Sequence, residues 1–255
     1  MLRPYFIGLQ FLTRISLVKQ DNWTEEDFGQ SVKFFPLIGA TLGVVYAAFA
    51  YVLTAMLPAY RINMPVHFTA ALMLILPVLF TGGIHCDGFM DTMDGLFSGR
   101  KPERMLEIMK DSRVGSNGVF AFVTLMIFEL CIILDMNTAV LVPAFFVMPI
   151  IARYMMTLAI VFYPYARPEG MGKAFKMYAD SRTLTFATLL AAIFILPFGL
   201  LAWAALVVGF LFMRGFAGFA VKTVGGLTGD IYGCIATLVE GLVLLTFMVG
   251  ARILM

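Results

Sequence analysis

The chain has 255 residues, of which 61% are hydrophobic and only 13% carry a charge. A typical soluble domain has about 25% charged residues, so this chain has too little polar surface for a soluble fold and is predicted to be an integral membrane protein. The formal net charge is +2 and the sequence has no basic stripe, which argues against a nucleic-acid partner. We expect one domain, residues 1–255, embedded in the lipid bilayer.

The first residues predict a helix at the membrane surface. Arg3, Gln10 and Arg14 fall on one narrow stripe of such a helix, and the rest of its surface is apolar. This pattern is typical of an N-terminal interfacial helix.

Apolar stretches that could cross the bilayer follow, since a membrane span needs about 20 mostly apolar residues. The candidates are Phe34–Leu57, Val66–Thr81, Val119–Leu134, Ala139–Tyr163, Leu184–Met213 and Ile231–Leu254. The fifth is broken near Pro197 and Gly199, so we interpret it as two short helices or a broken hairpin. The sequence therefore predicts an all-α, polytopic helical bundle with six or seven spans.

Basic residues orient these spans. They are concentrated in segments 84–117, 164–183 and 214–230, whereas the opposite turns hold only Arg61. The positive-inside rule places the basic segments at the cytoplasmic face. Seven spans would bring the N-terminus to the same face, so we favour seven. We expect a multi-pass protein of the cytoplasmic (inner) membrane, with its active-site loops and N-terminus in the cytoplasm.

The densest polar sequence follows the second candidate span. Asp87, Asp91 and Asp94 are spaced i, i+4, i+7, so they share one face of a helix. Three carboxylates this close repel each other unless a cation lies among them, and oxygen ligands in this number suit Mg²⁺. The pattern predicts a Mg²⁺ site for a phosphorylated substrate; the alternative is a solvated acidic helix face.

A second segment repeats this local design. Gly82-Gly83-Ile84-x-x-Asp87 is echoed by Gly225-Gly226-Leu227-x-x-Asp230. Because glycines let the backbone approach a ligand and successive amides can bind an anion, we predict that Gly225, Gly226 and Thr228 bind substrate. Asp230 is predicted to complete the metal shell or act as a base. The alternative is a capped helix start with packing glycines.

A third polar segment supplies cations. Lys110 and Arg113 could hold phosphate, Arg113 in a bidentate fork, and Asp111 is a fourth carboxylate near the other three. We predict phosphate binding by the two cations and metal binding by Asp111. The alternative is contact with lipid headgroups.

Three charges fall deep inside apolar spans. Glu129, Arg153 and Glu240 each lie about 15–17 Å from the predicted cytoplasmic end at the rise of an α-helix. Because an unpaired charge at that depth is costly, we predict that Arg153 pairs with Glu129 or Glu240, or that water reaches the group. A transporter would use these charges as an ion path, but the densest acids lie at one face.

Taken together, the polar segments resemble the cobalamin synthase family, adenosylcobinamide-GDP ribazoletransferase. The matching elements are Leu9–Arg14, Phe34–Gly39, Gly82–His85 with the three aspartates after it, Glu107–Gly115, Pro164–Arg167 and Gly225–Asp230. They follow the family order through nearly the whole chain. Cys86 replaces the aliphatic residue common in the family, a departure that does not touch the proposed chemistry.

The resemblance implies the last assembly step of the nucleotide loop of a coenzyme. Adenosylcobinamide-GDP and α-ribazole, or its 5′-phosphate, would give adenosylcobalamin, or its 5′-phosphate, and GMP, with Mg²⁺ as cofactor. His85, within the Gly82–His85 element, is a candidate substrate-binding residue. Phosphoryl transfer depends mostly on positioning and charge neutralisation, which the predicted residues can supply. Either Asp94 or Asp230 would accept the hydroxyl proton.

Other Mg²⁺-dependent membrane enzymes remain alternatives. The chain shares Asp87-Gly88 with the CDP-alcohol phosphotransferases but lacks their Ala-Arg pair and their later acids. The Asn-Asp start of the aromatic membrane prenyltransferases is also unmatched. The sequence leaves the oligomeric state open, and a homo-oligomer is compatible with it.

Overall fold

The computed structural model describes residues 2–18 and 22–254, and within these ranges it forms helices and no β-strand. The helices are α1 (Arg3–Leu12), α2 (Glu25–Gln30), α3 (Phe35–Tyr51), α4 (Leu57–Ala59), α5 (Val66–Thr81), α6 (Ile84–Leu96), α7 (Pro102–Ile108), α8 (Ser116–Asp135), α9 (Thr138–Phe162), α10 (Met171–Tyr178), α11 (Ser181–Ile195), α12 (Gly199–Val224) and α13 (Gly229–Leu254). Segments Ser31–Phe34 and Leu196–Phe198 are 3₁₀-helical and Val52–Met56 is π-helical. The all-α prediction is confirmed.

Length and composition suit several of these helices to a membrane. Five helical runs are long and apolar enough to cross it: Glu25–Ala59, Ser116–Asp135, Thr138–Phe162, Ser181–Val224 and Gly229–Leu254. A sixth crossing is added if α5 spans the bilayer, with α6 turned away from it at a bend of 91°. The chain is thus a polytopic helical membrane protein, as predicted.

Helix α9 is the centre of the bundle. Ile151, Ala152 and Arg153 on its middle turns have no exposed surface. Helix α3 crosses it at Gly39 and Gly43, where a methyl group would collide with the α9 backbone. Close backbone approach at small residues is a common way for membrane helices to associate.

The long run 181–224 is a hairpin, as its broken pattern predicts. Its contacts with α9 are Tyr154 with Thr188, Phe146 with Phe198, and Tyr163 with the carbonyl of Arg214. From Thr188 to Phe198 the contacted residue on α9 moves back from Tyr154 to Phe146, and by Arg214 it has moved forward to Tyr163. Helix α11 is therefore antiparallel to α9 and α12 is parallel to it, so α11 and α12 are antiparallel to each other. Gly199, with φ +69°, reverses the chain between them. Seven spans, the number favoured from the sequence, result when α11 and α12 are counted as separate crossings. Helix α11 has only 15 residues, and its full crossing of the bilayer stays a prediction.

The predicted interior ion pair is present. Arg153 of α9 donates from Nη1 to Glu240 of α13, and the Arg153 side chain has no exposed surface. Glu129 of α8 is buried beside Gly241 and is not the ion-pair partner of Arg153. The prediction that Arg153 pairs with one of the two acids is confirmed, with Glu240 as its partner.

The two ends of the bundle differ in character. One end holds α1, α6, the loop after α9 and the start of α13, so the three basic segments do share one side. The other end holds the turn between α8 and α9, where Arg252 lies 3.4 Å from the Asp135 carboxylate. Helix α1 is also covered by protein on its apolar face, because Ile7, Leu9 and Leu12 are fully buried.

Candidate active site

The turn between α5 and α6 sets the direction of the acidic helix. Gly82 and Gly83 have φ of +64° and +77°, a left-handed conformation that favours glycine. Helix α6 therefore leaves α5 at 91° and carries its three aspartates along the polar end of the bundle. Because of this turn and these acids, we treat α6 as lying outside the membrane-spanning segments.

A cavity of about 330 Å³, here called the central cavity, lies between α1, α6, α10, α13 and the loop 165–172. Asp87, Asp230 and Arg167 contribute charged side chains to its wall. Arg167 Nη2 donates to Asp230 Oδ2 over 2.7 Å. Helix α6 packs so closely on α13 that a methyl group at Gly88 would touch the Asp230 backbone. Packing thus brings the two echoed motifs together at one cavity.

Asp91 lies close enough to three other carboxylates to be affected by their charges. Burial, followed by the charges of Asp87, Asp230 and Asp94, raises the pKa of Asp91 to about 7, while Arg167 opposes the shift. The carboxylates of Asp87, Asp91, Asp94 and Asp230 therefore lie within electrostatic reach of one another, and Arg167 is the one cation among the groups that shift the pKa of Asp91. Such a site favours the binding of an additional cation.

Asp94 holds the start of α8. Its Oδ2 accepts a hydrogen bond from the Gly115 amide at 2.7 Å and its Oδ1 accepts one from the Gly118 amide at 2.9 Å. A carboxylate is favoured at a helix N-terminus, where amide groups lack helical partners. Both oxygens of Asp94 are therefore already engaged in joining α6 to α8.

The charged residues of the Lys110–Arg113 segment lie in two different places. Arg113 donates to Asp111 through Nη2 at 2.6 Å and Nε at 3.0 Å, and the Arg113 side chain is 85% exposed. These hydrogen bonds lower the pKa of Asp111 to about 2. Lys110 instead lines a second cavity of about 420 Å³, here called the side cavity, to which Arg167 also contributes. Lys110 thus lies near the central cavity, whereas Asp111 and Arg113 form a surface pair.

The glycine motif Gly225–Asp230 packs against segment 164–166, which precedes Arg167. The Ala166 amide donates to the Leu227 carbonyl and the Leu227 amide donates to the Pro164 carbonyl, both over 2.8 Å. A methyl group at Gly226 would collide with this pair of bonds. Because the bonds hold the segment that precedes Arg167, Gly226 positions Arg167 beside Asp230.

Thr228 and Gly225 also have structural positions. Thr228 accepts from the Ile231 amide and donates to Asp230 Oδ2, each over 3.2 Å. Gly225 ends α12 with φ +82°. The wall of the central cavity includes Gly229 and Asp230 but not Gly225, Gly226 or Thr228. Direct substrate binding by these three stays a prediction, while His85 does line the cavity.

A third cavity, here called the α1 cavity, has a volume of about 590 Å³. Its wall includes Gln10, Arg14 and Asp87, so it meets the central cavity at Asp87. From the sequence pattern, Gln10 and Arg14 were expected on a membrane-surface stripe, and no role was predicted for Arg167. The signal for all three was their place in the family motifs Leu9–Arg14 and Pro164–Arg167.

The site fits Mg²⁺ only together with a phosphate. Among residues 2–18 and 22–254, no group of three or more His, Cys, Asp or Glu side chains is arranged to hold a metal. Mg²⁺ commonly takes one or two protein carboxylates and completes its shell with water and substrate phosphate. Asp87 in the cavity wall and Asp91, one helical turn further along α6 and within reach of its charge, suit such a shared site.

Comparisons with known proteins identify the family. A family model described as cobalamin-5-phosphate synthase matches residues 4–248. A protein of Desulfitobacterium hafniense (strain Y51) named adenosylcobinamide-GDP ribazoletransferase is 39% identical over 257 residues, covering 98% of this chain and 96% of the relative. A protein of the same name from Desulforamulus reducens (strain ATCC BAA-1160 / DSM 100696 / MI-1) is 38% identical, covering 98% of this chain and 97% of the relative. A third, from Geotalea daltonii (strain DSM 22248 / JCM 15807 / FRC-32), is 35% identical and covers 99% and 100%.

No solved structure matches the chain. The family model nevertheless spans almost all of it, and the relatives align from end to end. The chain belongs to the cobalamin-5-phosphate synthase family.

Proposed function

We propose that this chain is an adenosylcobinamide-GDP ribazoletransferase whose active site is the central cavity. The observation that carries the assignment is the meeting of Asp87, Asp230 and Arg167 in one cavity, in a chain of this family. The substrates are adenosylcobinamide-GDP and α-ribazole or its 5′-phosphate. The products are adenosylcobalamin or its 5′-phosphate, and GMP.

In the proposed reaction, a ribose hydroxyl attacks the phosphorus atom next to cobinamide. A new phosphorus–oxygen bond forms, the bond to the GMP phosphate breaks, and GMP leaves with the bridging oxygen. Arg167 and Lys110, on the walls of adjoining cavities, neutralise the diphosphate. Asp230 accepts the hydroxyl proton, because it faces the cavity and both of its hydrogen bonds, from Arg167 and Thr228, end on Oδ2, whereas each Asp94 oxygen already accepts an amide hydrogen bond.

Mg²⁺ is the proposed cofactor. Asp87 and Asp91 would hold it, with further ligands from the diphosphate and water. When bound, the ion supplies positive charge to the phosphate oxygens and orients the leaving group. Asp94 is assigned to holding α8 in place, and Asp111 to its surface pair with Arg113.

The proposed location is the cytoplasmic membrane, with the polar end of the bundle and the N-terminus facing the cytoplasm. The three basic segments at that end support this orientation through the positive-inside rule.

The test uses the purified full chain in lipid with adenosylcobinamide-GDP, α-ribazole and Mg²⁺, scored for GMP and cobalamin. Turnover should stop when the metal is chelated and return when Mg²⁺ is added. Asp87→Ala should abolish turnover while membrane insertion stays normal, whereas the control Asp111→Ala should stay active. Near-normal turnover by Asp87→Ala would contradict the proposed site. Substrate flux without GMP release would instead indicate a transporter.

A further inference from the structure

One end of the central cavity is aromatic. The rings of Phe11 and Phe175 meet edge to face with centroids 5.8 Å apart. Phe28 lies behind them, stacked on Phe175 at 4.4 Å. Met156 and Met171 also contribute to the cavity wall. Aromatic rings and polarisable methionine sulfur atoms are a favourable environment for a flat aromatic group.

The cavity also offers polar atoms that lack a protein partner. Tyr232 is 1% exposed and His85 is 4% exposed, and both line the cavity. Tyr232 Oη and His85 Nε2 have no hydrogen-bond partner among the described residues. Leaving a buried polar group unpaired is costly, so Tyr232 Oη points to a ligand or water in this cavity. His85 also lines an interior cavity beside Glu129 and Glu240, so its Nε2 is not assigned to the central cavity.

Size restricts what can occupy this space. A volume of about 330 Å³ is near the lower end of the range of about 300–1,000 Å³ for ligand pockets. It suits a molecule of nucleoside size. The α1 cavity is larger and shares Asp87 with the central cavity, so the donor substrate can reach Asp87 from that side.

We propose that the central cavity is the binding site for the acceptor nucleoside, with its aromatic base at Phe11, Met171 and Phe175. The ribose then lies toward Asp87 and Asp230, where the transferred phosphate must arrive. Tyr232 hydrogen-bonds to a polar atom of the base or ribose. This assignment rests on the proposed function, because that function supplies an aromatic nucleoside as acceptor.

The experiment compares both substrates in ring-wall variants of the full chain in lipid. Phe11→Leu removes a half-buried ring but keeps apolar bulk, and Met171→Ala changes a side chain that is 62% exposed, which limits any effect on folding. Each variant should raise the KM for α-ribazole about tenfold or more, as expected for loss of contact with a base, and leave the KM for adenosylcobinamide-GDP nearly unchanged. Direct binding of α-ribazole, measured by equilibrium dialysis without the donor substrate, should weaken by the same factor.

Matched controls lie outside the cavity. Phe120→Leu changes a ring on α8 that is 76% exposed, and Met177→Ala changes a residue on α10 that is 55% exposed. Both should leave the KM and binding of α-ribazole at the wild-type values. The free base of α-ribazole should inhibit competitively against α-ribazole and not against adenosylcobinamide-GDP.

The possible failures are distinguishable. Wild-type protein that binds α-ribazole through these residues but releases no GMP would overturn the proposed function and leave the nucleoside site intact. Active wild-type protein whose Phe11→Leu and Met171→Ala variants bind α-ribazole normally would overturn the nucleoside site alone. An increase confined to the KM of adenosylcobinamide-GDP would assign the cavity to the donor substrate and would also overturn the proposal.

Discussion

Arg167 donates a 2.7 Å hydrogen bond to Asp230 at the point where the central and side cavities adjoin. The arginine is held there by the backbone bonds between segment 164–166 and Leu227. Its Nε atom is buried and has no partner among the described residues, which leaves a donor for an anionic ligand. The charge is thus positioned where a diphosphate would bridge the two cavities.

Replacing Arg167 with alanine should lower kcat by about 10²–10³, the typical cost of losing one preorganised donor to developing charge. Arg167→Lys should recover only part of the rate, because an ammonium group lacks the planar fork of donors. The measurement is GMP release under saturating substrates. Arg113→Ala is the control and should cost little, since that side chain is exposed and forms a surface pair with Asp111. Equal losses in both variants would argue against a special role for Arg167.

Asp94→Ala should destabilise the protein by about 1–3 kcal/mol, because the Gly115 and Gly118 amides lose their acceptor. The residual activity should keep the wild-type dependence on Mg²⁺ concentration. Thermal unfolding in detergent and a Mg²⁺ titration of turnover measure the two effects separately. An increase in the Mg²⁺ concentration needed for half-maximal rate would instead make Asp94 a metal ligand.

Arg153→Met should cost about 3–5 kcal/mol of stability, because it leaves Glu240 buried without its partner. Adding Glu240→Gln should recover part of that loss by removing the unpaired charge. Arg252→Met is a suitable control, because its pair with Asp135 is exposed and such pairs contribute about 0–1 kcal/mol. Comparison of unfolding midpoints tests this; a stable Arg153→Met protein would show that the interior pair is dispensable.

Gly226→Ala should reduce turnover by up to about 100-fold, since the added methyl group would push segment 164–166 and Arg167 out of place. Gly218→Ala on α12 is the control, because no atom lies within 4 Å of the added methyl group. Activity of each variant is compared with the amount of folded protein in the membrane. Full activity in Gly226→Ala would mean that the backbone pairing does not position Arg167.

The helical membrane class, the interior pairing of Arg153 and the polar end of the bundle could all be predicted from the amino-acid sequence. Composition and apolar length decide these features locally, because the bilayer excludes unpaired charge and irregular backbone. The break near Pro197 and Gly199 likewise predicted two short helices or a broken hairpin, since proline disfavours the interior of an α-helix and the structure has a 3₁₀ turn there.

The separate roles of the acidic and basic residues depend on how the helices pack and could not be predicted from spacing. The spacing on α6 determines the direction in which each aspartate points from the helix axis. Which groups each aspartate contacts depends on the helix that packs against that part of α6. Asp87 faces cavities formed with α1 and α13, whereas Asp94 meets the start of α8. Arg167 becomes a candidate phosphate ligand because a long-range contact with Leu227 brings its loop to Asp230, and no local pattern encodes that contact.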